Sequence, residues 1–137
     1  MADKSLAEKM KLKRGMHAAL VNSPSGYRDQ LSAPSEAEIS NRLESGPFDW
    51  VQVFIKSKAE LESLVPLLAK ALKPASLLWV TFPKGTSKIQ TDLTRDKGWE
   101  SLRPLDLKWI NLISINETWS AFSLRPYKEG EARQAFR

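Results

Sequence analysis

Residues 48–82 read "FDWVQVFIKSKAELESLVPLLAKALKPASLLWVTF", and the fold turns on how this stretch is parsed. Its first nine residues, 48–56, are apolar at nearly every position, as expected of a strand covered on both faces in the middle of a sheet. Residues 57–74 change period. Ser57 and Glu60 have the spacing of a capping box, in which each side chain bonds a free amide of the first helical turn. Leu61, Leu64, Val65, Leu68 and Leu72 then fall on one face of a helix. Pro66 lies inside that pattern, where it removes an amide and crowds the preceding turn, so a kink is expected. Pro74 closes the element, and "SLLWVTF" (76–82) is a second buried strand.

Working outward, "SLAEKMKLKRG" (5–15) has the marks of a short helix. Ser5 and Glu8 form another capping box, the basic run to Arg14 suits the negative helix end, and Gly15 is a natural stop. "MHAALVN" (16–22) is a compact first strand. "SPSGYRDQL" (23–31) offers a turn and at most two helical turns. Residues 32–47 are polar, carry Pro34 and Pro47, and have room for one short strand at 38–40. Beyond residue 82, a helix is expected from Thr91 or Asp92 to Leu102, although Gly98 costs it roughly 1 kcal/mol relative to alanine. "LKWINLISI" (107–115) and "TWSAFSLR" (118–125) are joined only by Asn116 and Glu117, which demands an antiparallel hairpin.

Alternating strands and helices require a mostly parallel sheet with helices on both faces. The expected architecture is therefore α/β and Rossmann-like, with a C-terminal antiparallel β-hairpin. It forms one domain over 1–137, with a basic helix at 1–14 and a charged tail at 126–137.

The chain has 21 basic and 16 acidic side chains, a formal net charge of +5. That balance makes anionic partners plausible without specifying nucleic acid. Lys4, Lys9, Lys11, Lys13 and Arg14 crowd the start, where helix electrostatics already explain them; Lys128, Arg133 and Arg137 mark the end. Nucleic acid is therefore not an expected partner, and association through the basic helix stays a weaker alternative. With no cysteine, disulfides and thiol catalysis are excluded. No stretch approaches membrane-spanning length and no signal peptide is evident, so a cytoplasmic location without membrane contact is expected.

The second half resembles class I S-adenosylmethionine-dependent methyltransferases. The residues that carry this are Phe48-Asp49 before a strand, Leu72-Lys73-Pro74-Ala75-Ser76 at a helix end, and the terminal hairpin. A more specific resemblance is to an uncharacterised bacterial family with W-V-x-[FY]-P-K-G-x-S-K, D-L-T-R-D and E-T-W-S-A, here residues 79–88, 92–96 and 117–121. It implies no activity. Relative to methyltransferases, the chain departs where the methyl donor is held. Val21 is followed by "NSPSGY", with one glycine and no preceding carboxylate, and the segment around Ile39 is short, leaving Glu36, Glu38 or Glu44 as poor substitutes for the ribose-binding acid. S-adenosylmethionine is thus not an expected ligand, and no cofactor is expected.

In an open parallel sheet, ligands sit beyond the carboxyl ends of the strands. Three polar loops are expected at that edge: 22–27, 56–58 and 83–88. Their candidate anion-binding residues are Asn22, Ser23, Ser25, Gly26, Lys56, Lys84, Gly85, Thr86, Ser87 and Lys88, with Arg95 reaching back from the following helix. The loop at 83–88 is not a P-loop, because Lys84 precedes its only glycine. Its Thr86 and Ser87 equally suit a satisfied turn. Asp92, Asp96 and Glu100 would form one acidic line on a helix, with Asp92 either a general base or a helix cap. His17 is the only histidine and starts the first strand, so a histidine-based triad or a two-histidine metal site is excluded; no metal is expected. Trp50 and Trp79 read as core, and Trp109 and Trp119 as core or, if both faced outward, as an interface. The expectation is a binding or interaction module for a small anionic ligand, with a homodimer or another protein as a further partner, rather than an enzyme. The alternative is an enzyme acting on a small anionic substrate at the 83–88 edge.

Overall fold

The structure is a computed structural model that describes residues 5–34, 36–89, 91–94 and 97–132. In chain order it contains α1 (Leu6–Lys9), β1 (His17–Val21), α2 (Tyr27–Leu31), β2 (Glu38–Ser40), β3 (Phe48–Phe54), α3 (Lys58–Ala71), β4 (Leu72–Pro83), β5 (Leu107–Ser114) and β6 (Trp119–Pro126). The strands form one sheet in the order β2-β1-β3-β4-β6-β5. The first four are mutually parallel, while β6 runs antiparallel between β4 and β5. This is the α/β, Rossmann-like arrangement expected, hairpin included.

Alternation along the central strands sends side chains to two separate cores. Val51, Val53, Ile55, Leu78, Val80 and Phe82 meet Leu61, Leu64 and Leu68 of α3 on one face. Trp50, Phe54 and Trp79 meet Ala7, Met10, Leu12, Tyr27 and Leu31 on the other. Each fully buried leucine of α3 is worth about 1.5–3 kcal/mol relative to exposure, so the apolar stripe outweighs the amide lost at Pro66. Trp109 and Trp119 both pack inward, on opposite faces: Trp109 edge-on to Phe122 at 4.8 Å and Trp119 edge-on to Phe54 at 5.1 Å. The hairpin tryptophans are core rather than interface.

The capping signals act as read, with one change. Ser5 and Glu8 make both bonds of their box. Ser57 accepts from the Glu60 amide, but the Glu60 carboxylate reaches past it to the Lys56 amide at 3.1 Å.

Three expected elements differ. The N-terminal helix ends at Lys9 instead of continuing to Arg14. The Met10 carbonyl, which would accept from residue 14 in a longer helix, instead accepts from the buried indole nitrogens of Trp50 (2.9 Å) and Trp79 (3.0 Å). The strand expected at 76–82 begins at Leu72, immediately after α3. Leu72 pairs with Phe48 and Leu77 with Trp50, so residues 73–76 bulge against Asp49 alone. The bulge is held by Lys73 pairing with Asp49 and by the Ser76 hydroxyl donating to the Phe48 carbonyl.

The helix expected from 91 to 102 is not formed. Its described residues are bends and irregular backbone, followed by a 3-10 helix at Glu100–Leu105. Leu93 and Trp99 are 2% and 1% exposed, and the Trp99 indole donates to the Thr94 carbonyl at 2.7 Å. Gly98 sits at φ +103, where a Cβ would lie 2.6 Å from Leu93 Cδ2. Anchoring two large side chains in the core overrides a weak helix propensity already broken by glycine. Asp96, expected on an acidic helix line, lies outside the described residues. No helix among the described residues is long and apolar enough to cross a membrane.

Candidate functional site

At the carboxyl ends of β1 and β2, beside α2, lies a cleft of about 400 Å³. Its lining is Leu20, Ser23, Arg28, Ile39, Ser40 and Asn41. Parallel pairing explains why residues so far apart in sequence meet. Ala18 stands beside Ile39 and Ala19 beside Ser40, so the next step brings Leu20 alongside Asn41. The chain leaves β1 through Asn22 at φ 60 and enters α2 through Gly26 at φ 82. Both are residue types that tolerate the left-handed region. This tight exit lets Ser23 and Arg28 line the same cleft.

The position of α2 is set from below by a buried polar chain. The Tyr27 hydroxyl donates to Gln52 Oε1 (2.9 Å), and Gln52 Nε2 donates to Thr81 Oγ1 (2.9 Å). All three residues are 3% exposed or less. Burial pushes the Tyr27 phenol up to about 12, against the lowering effect of its bond to Gln52. At its other end α2 is tied to the hairpin turn. Gln30 Nε2 donates to the Ile115 carbonyl, and Asn116 Nδ2 donates to Gln30 Oε1, each at 3.1 Å. Helix α2, which carries Arg28, is therefore braced on the sheet and on the hairpin.

Chemically, the lining is one guanidinium, two hydroxyls and one amide over the aliphatic Leu20 and Ile39, with no carboxylate. Of the carboxylates in the neighbouring segments, Glu36 pairs with Arg14 and Glu44 with Arg42, while Asp29 and Glu38 are exposed and not part of the lining. Arg28 makes no ion pair among the described residues. The Ser40 hydroxyl accepts from the Arg42 amide at 3.1 Å and closes the turn that presents Asn41. The whole set favours a ligand that is negatively charged and rich in acceptors.

Of the three loops expected to converge, only the first contributes to this cleft, through Ser23; Asn22, Ser25 and Gly26 share its loop. The others are held to different partners. Lys84 Nζ donates to Ser114 Oγ (2.6 Å), and its amide donates to the Thr118 carbonyl (2.8 Å). Ser87 donates through both its amide and its hydroxyl to the Lys84 carbonyl, which is the satisfied-turn arrangement. Gly85, Thr86 and Lys88 are exposed, as is Lys56. Asp92 Oδ1 accepts from the Lys58 amide at 2.8 Å, so it caps α3 from 34 residues away rather than a helix of its own. Lys58 also pairs with Glu100 at 3.5 Å. Arg95 lies outside the described residues.

Arg28, Ser40 and Asn41 are the lining residues that sequence reasoning did not single out. The signal for the last two was the short strand at 38–40, whose carboxyl end must lie on the ligand edge if it pairs parallel with the first strand. Arg28 had no local signal.

At the opposite edge, the Phe48-Asp49 pair has a structural use. The Asp49 carboxylate is bonded to Lys73 and to the His17 amide, and these hold it below the usual carboxylate range. It clamps the starts of β1 and β4 together.

No protein-family model matches the sequence, and no curated protein is similar to it by sequence. Solved structures are similar in fold. A ribosomal protein methylase from Lactobacillus delbrueckii subsp. bulgaricus superposes with a TM-score of 0.59 at 16% identity, covering 89% of this chain and 76% of that one. A TehB-like SAM-dependent methyltransferase from Corynebacterium glutamicum gives 0.57 at 11%, covering 90% and 86%. A SAM-dependent methyltransferase from Aquifex aeolicus gives 0.53 at 14%, covering 85% of each chain. At such identities the likeness establishes the fold, which is Rossmann-like and methyltransferase-like.

Proposed function

We propose that this protein is a small-molecule-binding module on a methyltransferase-like fold. It takes an anionic ligand in the cleft between the carboxyl ends of β1 and β2. The observation that carries the reading is that Arg28, without an ion pair among the described residues, stands in a lining that holds hydroxyls and an amide but no carboxylate. A guanidinium not engaged in an ion pair offers its fork of donors to a ligand instead of to the protein.

S-adenosylmethionine is the alternative that the fold itself raises, because the similar solved structures include proteins described as SAM-dependent. Those descriptions weigh against the expectation that this cofactor is absent. The residues in the cleft do not fit it well. Its sulfonium is a cation and its ribose hydroxyls call for an acceptor carboxylate, whereas the lining supplies a cation and no carboxylate. Only its amino-acid carboxylate finds a natural partner, in Arg28. An enzyme centred on residues 83–88 has less support, since Lys84 and Asp92 are committed to Ser114 and to the Lys58 amide.

Thermal melting of the full chain separates these readings. Phosphate or sulfate should raise the midpoint, because a ligand that binds only the folded state stabilises it by mass action. Arg28→Gln should remove that shift while leaving the ligand-free midpoint in place. A midpoint raised by S-adenosylmethionine and by no simple anion would reject the proposal in favour of the cofactor.

A further inference from the structure

We infer that the ligand of this cleft is a nucleoside phosphate, with its phosphate on Arg28, Ser23 and Ser40 and its base against Leu20 and Ile39. The inference rests on the anion-binding reading and goes beyond it by naming the ligand class.

The phosphate assignment follows from the donors. A carboxylate presents two coplanar oxygens, which one guanidinium fork satisfies by itself. Here two serine hydroxyls line the same cleft as Arg28, from the β1 exit and the β2 end. Donors arriving from several directions match the three terminal oxygens of a phosphate monoester better than a planar group. The Ser40 hydroxyl spends its one hydrogen on a long 3.3 Å contact to the Arg42 carbonyl, which it would exchange for a phosphate oxygen while still accepting from the Arg42 amide.

The nucleoside assignment follows from what lies around those donors. The cleft of about 400 Å³ falls within the range of small-molecule sites, about 300–1,000 Å³, so an inorganic ion would fill little of it. Leu20 and Ile39 give it an aliphatic wall, and Asn41 adds an amide with both donor and acceptor atoms, the pairing suited to the edge of a base. The position in the fold agrees. In doubly wound sheets that bind dinucleotides, the residue after the second strand decides what the ribose carries. A carboxylate there holds free ribose hydroxyls, whereas arginine in its place accommodates a phosphate on the ribose. This chain has Ser40-Asn41 after β2 and Arg28 facing the same space, with no acid in the lining.

Isothermal titration of the full chain with six probes tests the inference. The probes are adenosine monophosphates phosphorylated at the 2′, 3′ or 5′ position, ribose 5-phosphate, inorganic phosphate and adenosine. At least one adenosine monophosphate should bind more tightly than inorganic phosphate or ribose 5-phosphate, and adenosine should not bind. Arg28→Gln should weaken the nucleotide roughly tenfold or more, since it removes a charged hydrogen-bonding partner. Arg28 is exposed, so the variant should fold, and its far-ultraviolet circular dichroism and melting midpoint serve as the check. If inorganic phosphate or ribose 5-phosphate binds as tightly as every nucleotide, the nucleoside assignment is overturned while the anion site stands. If adenosine binds as tightly as the nucleotides, the phosphate contact is overturned; if no phosphate-bearing probe binds, both readings fail together.

Discussion

The Met10 carbonyl offers a test of how the N-terminal segment is held to the sheet. It accepts from Trp50 Nε1 at 2.9 Å and Trp79 Nε1 at 3.0 Å, and Met10 itself is 0% exposed. Replacing either tryptophan with phenylalanine removes one such bond, worth about 1 kcal/mol net. It also removes part of a buried ring, worth about 1–2 kcal/mol in lost transfer and cavity energy. Each single variant should therefore lose about 2–3 kcal/mol. In either one the carbonyl keeps an indole partner. The double variant leaves it with none, closed off from water, and an orphaned buried acceptor costs about 1–3 kcal/mol more. The double variant should thus lose more than the sum of the two singles. Guanidinium denaturation followed by far-ultraviolet circular dichroism measures this without depending on the tryptophans as probes. Sulfate in all four samples keeps the double variant folded at the start of the titration. Two adjacent cavities that merely collapse into each other would give the opposite sign, and independent sites add within about 0.5 kcal/mol. A double-variant loss equal to or below the sum would refute the shared-acceptor account.

Gly98→Ala should lose about 2 kcal/mol or more on chemical denaturation, because the new methyl would meet Leu93 Cδ2 at 2.6 Å on a backbone at φ +103. Asp92→Ala should lose about 1 kcal/mol through the uncapped Lys58 amide and leave ligand affinity unchanged; a loss of binding with intact stability would give Asp92 a functional role instead. Tyr27→Phe leaves Gln52 Oε1 buried without its donor and should lose about 1–3 kcal/mol. Because the folded phenol is raised to about 12, the wild type should also lose stability as pH climbs above the ordinary tyrosine value near 10, more steeply than Tyr27→Phe. Glu131 is pulled well below the usual carboxylate range by Arg125 first and then Lys108. Its folded value is lower than its unfolded one, so its contribution is present at neutral pH and fades as pH falls below about 4.3. The melting midpoints of wild type and Glu131→Gln should therefore converge in acid.

What could be read from the sequence was whatever local chemistry decides. Capping spacings placed the starts of α1 and α3, periodicity found the face of α3, and a connection too short for a crossover forced the hairpin. Those are interactions within a turn or two of chain, so their partners are adjacent in the sequence. The errors came where the partner is distant. The run from 91 to 102 is non-helical because Leu93 and Trp99 are drawn into the core and Asp92 serves another helix. α1 stops early because two strands claim the Met10 carbonyl.

The candidate site divides in the same way. The edge of the sheet that holds it followed from strand–helix alternation alone, and Ser23 was visible there as a polar residue at a strand exit. The three loops were assigned to one site because all leave the same edge, but that edge spans several strands and says nothing of lateral distance. Only the parallel pairing of β1 with β2 brings Ser40 and Asn41 beside Leu20, and the Tyr27–Gln52–Thr81 chain together with the Gln30 bonds to the hairpin turn fixes where Arg28 stands. The sequence by itself determined the fold and the edge of the sheet where the candidate cleft lies, because those follow from the order of local elements. The tertiary structure decided which side chains share a cleft, because that depends on pairings between residues far apart in the chain.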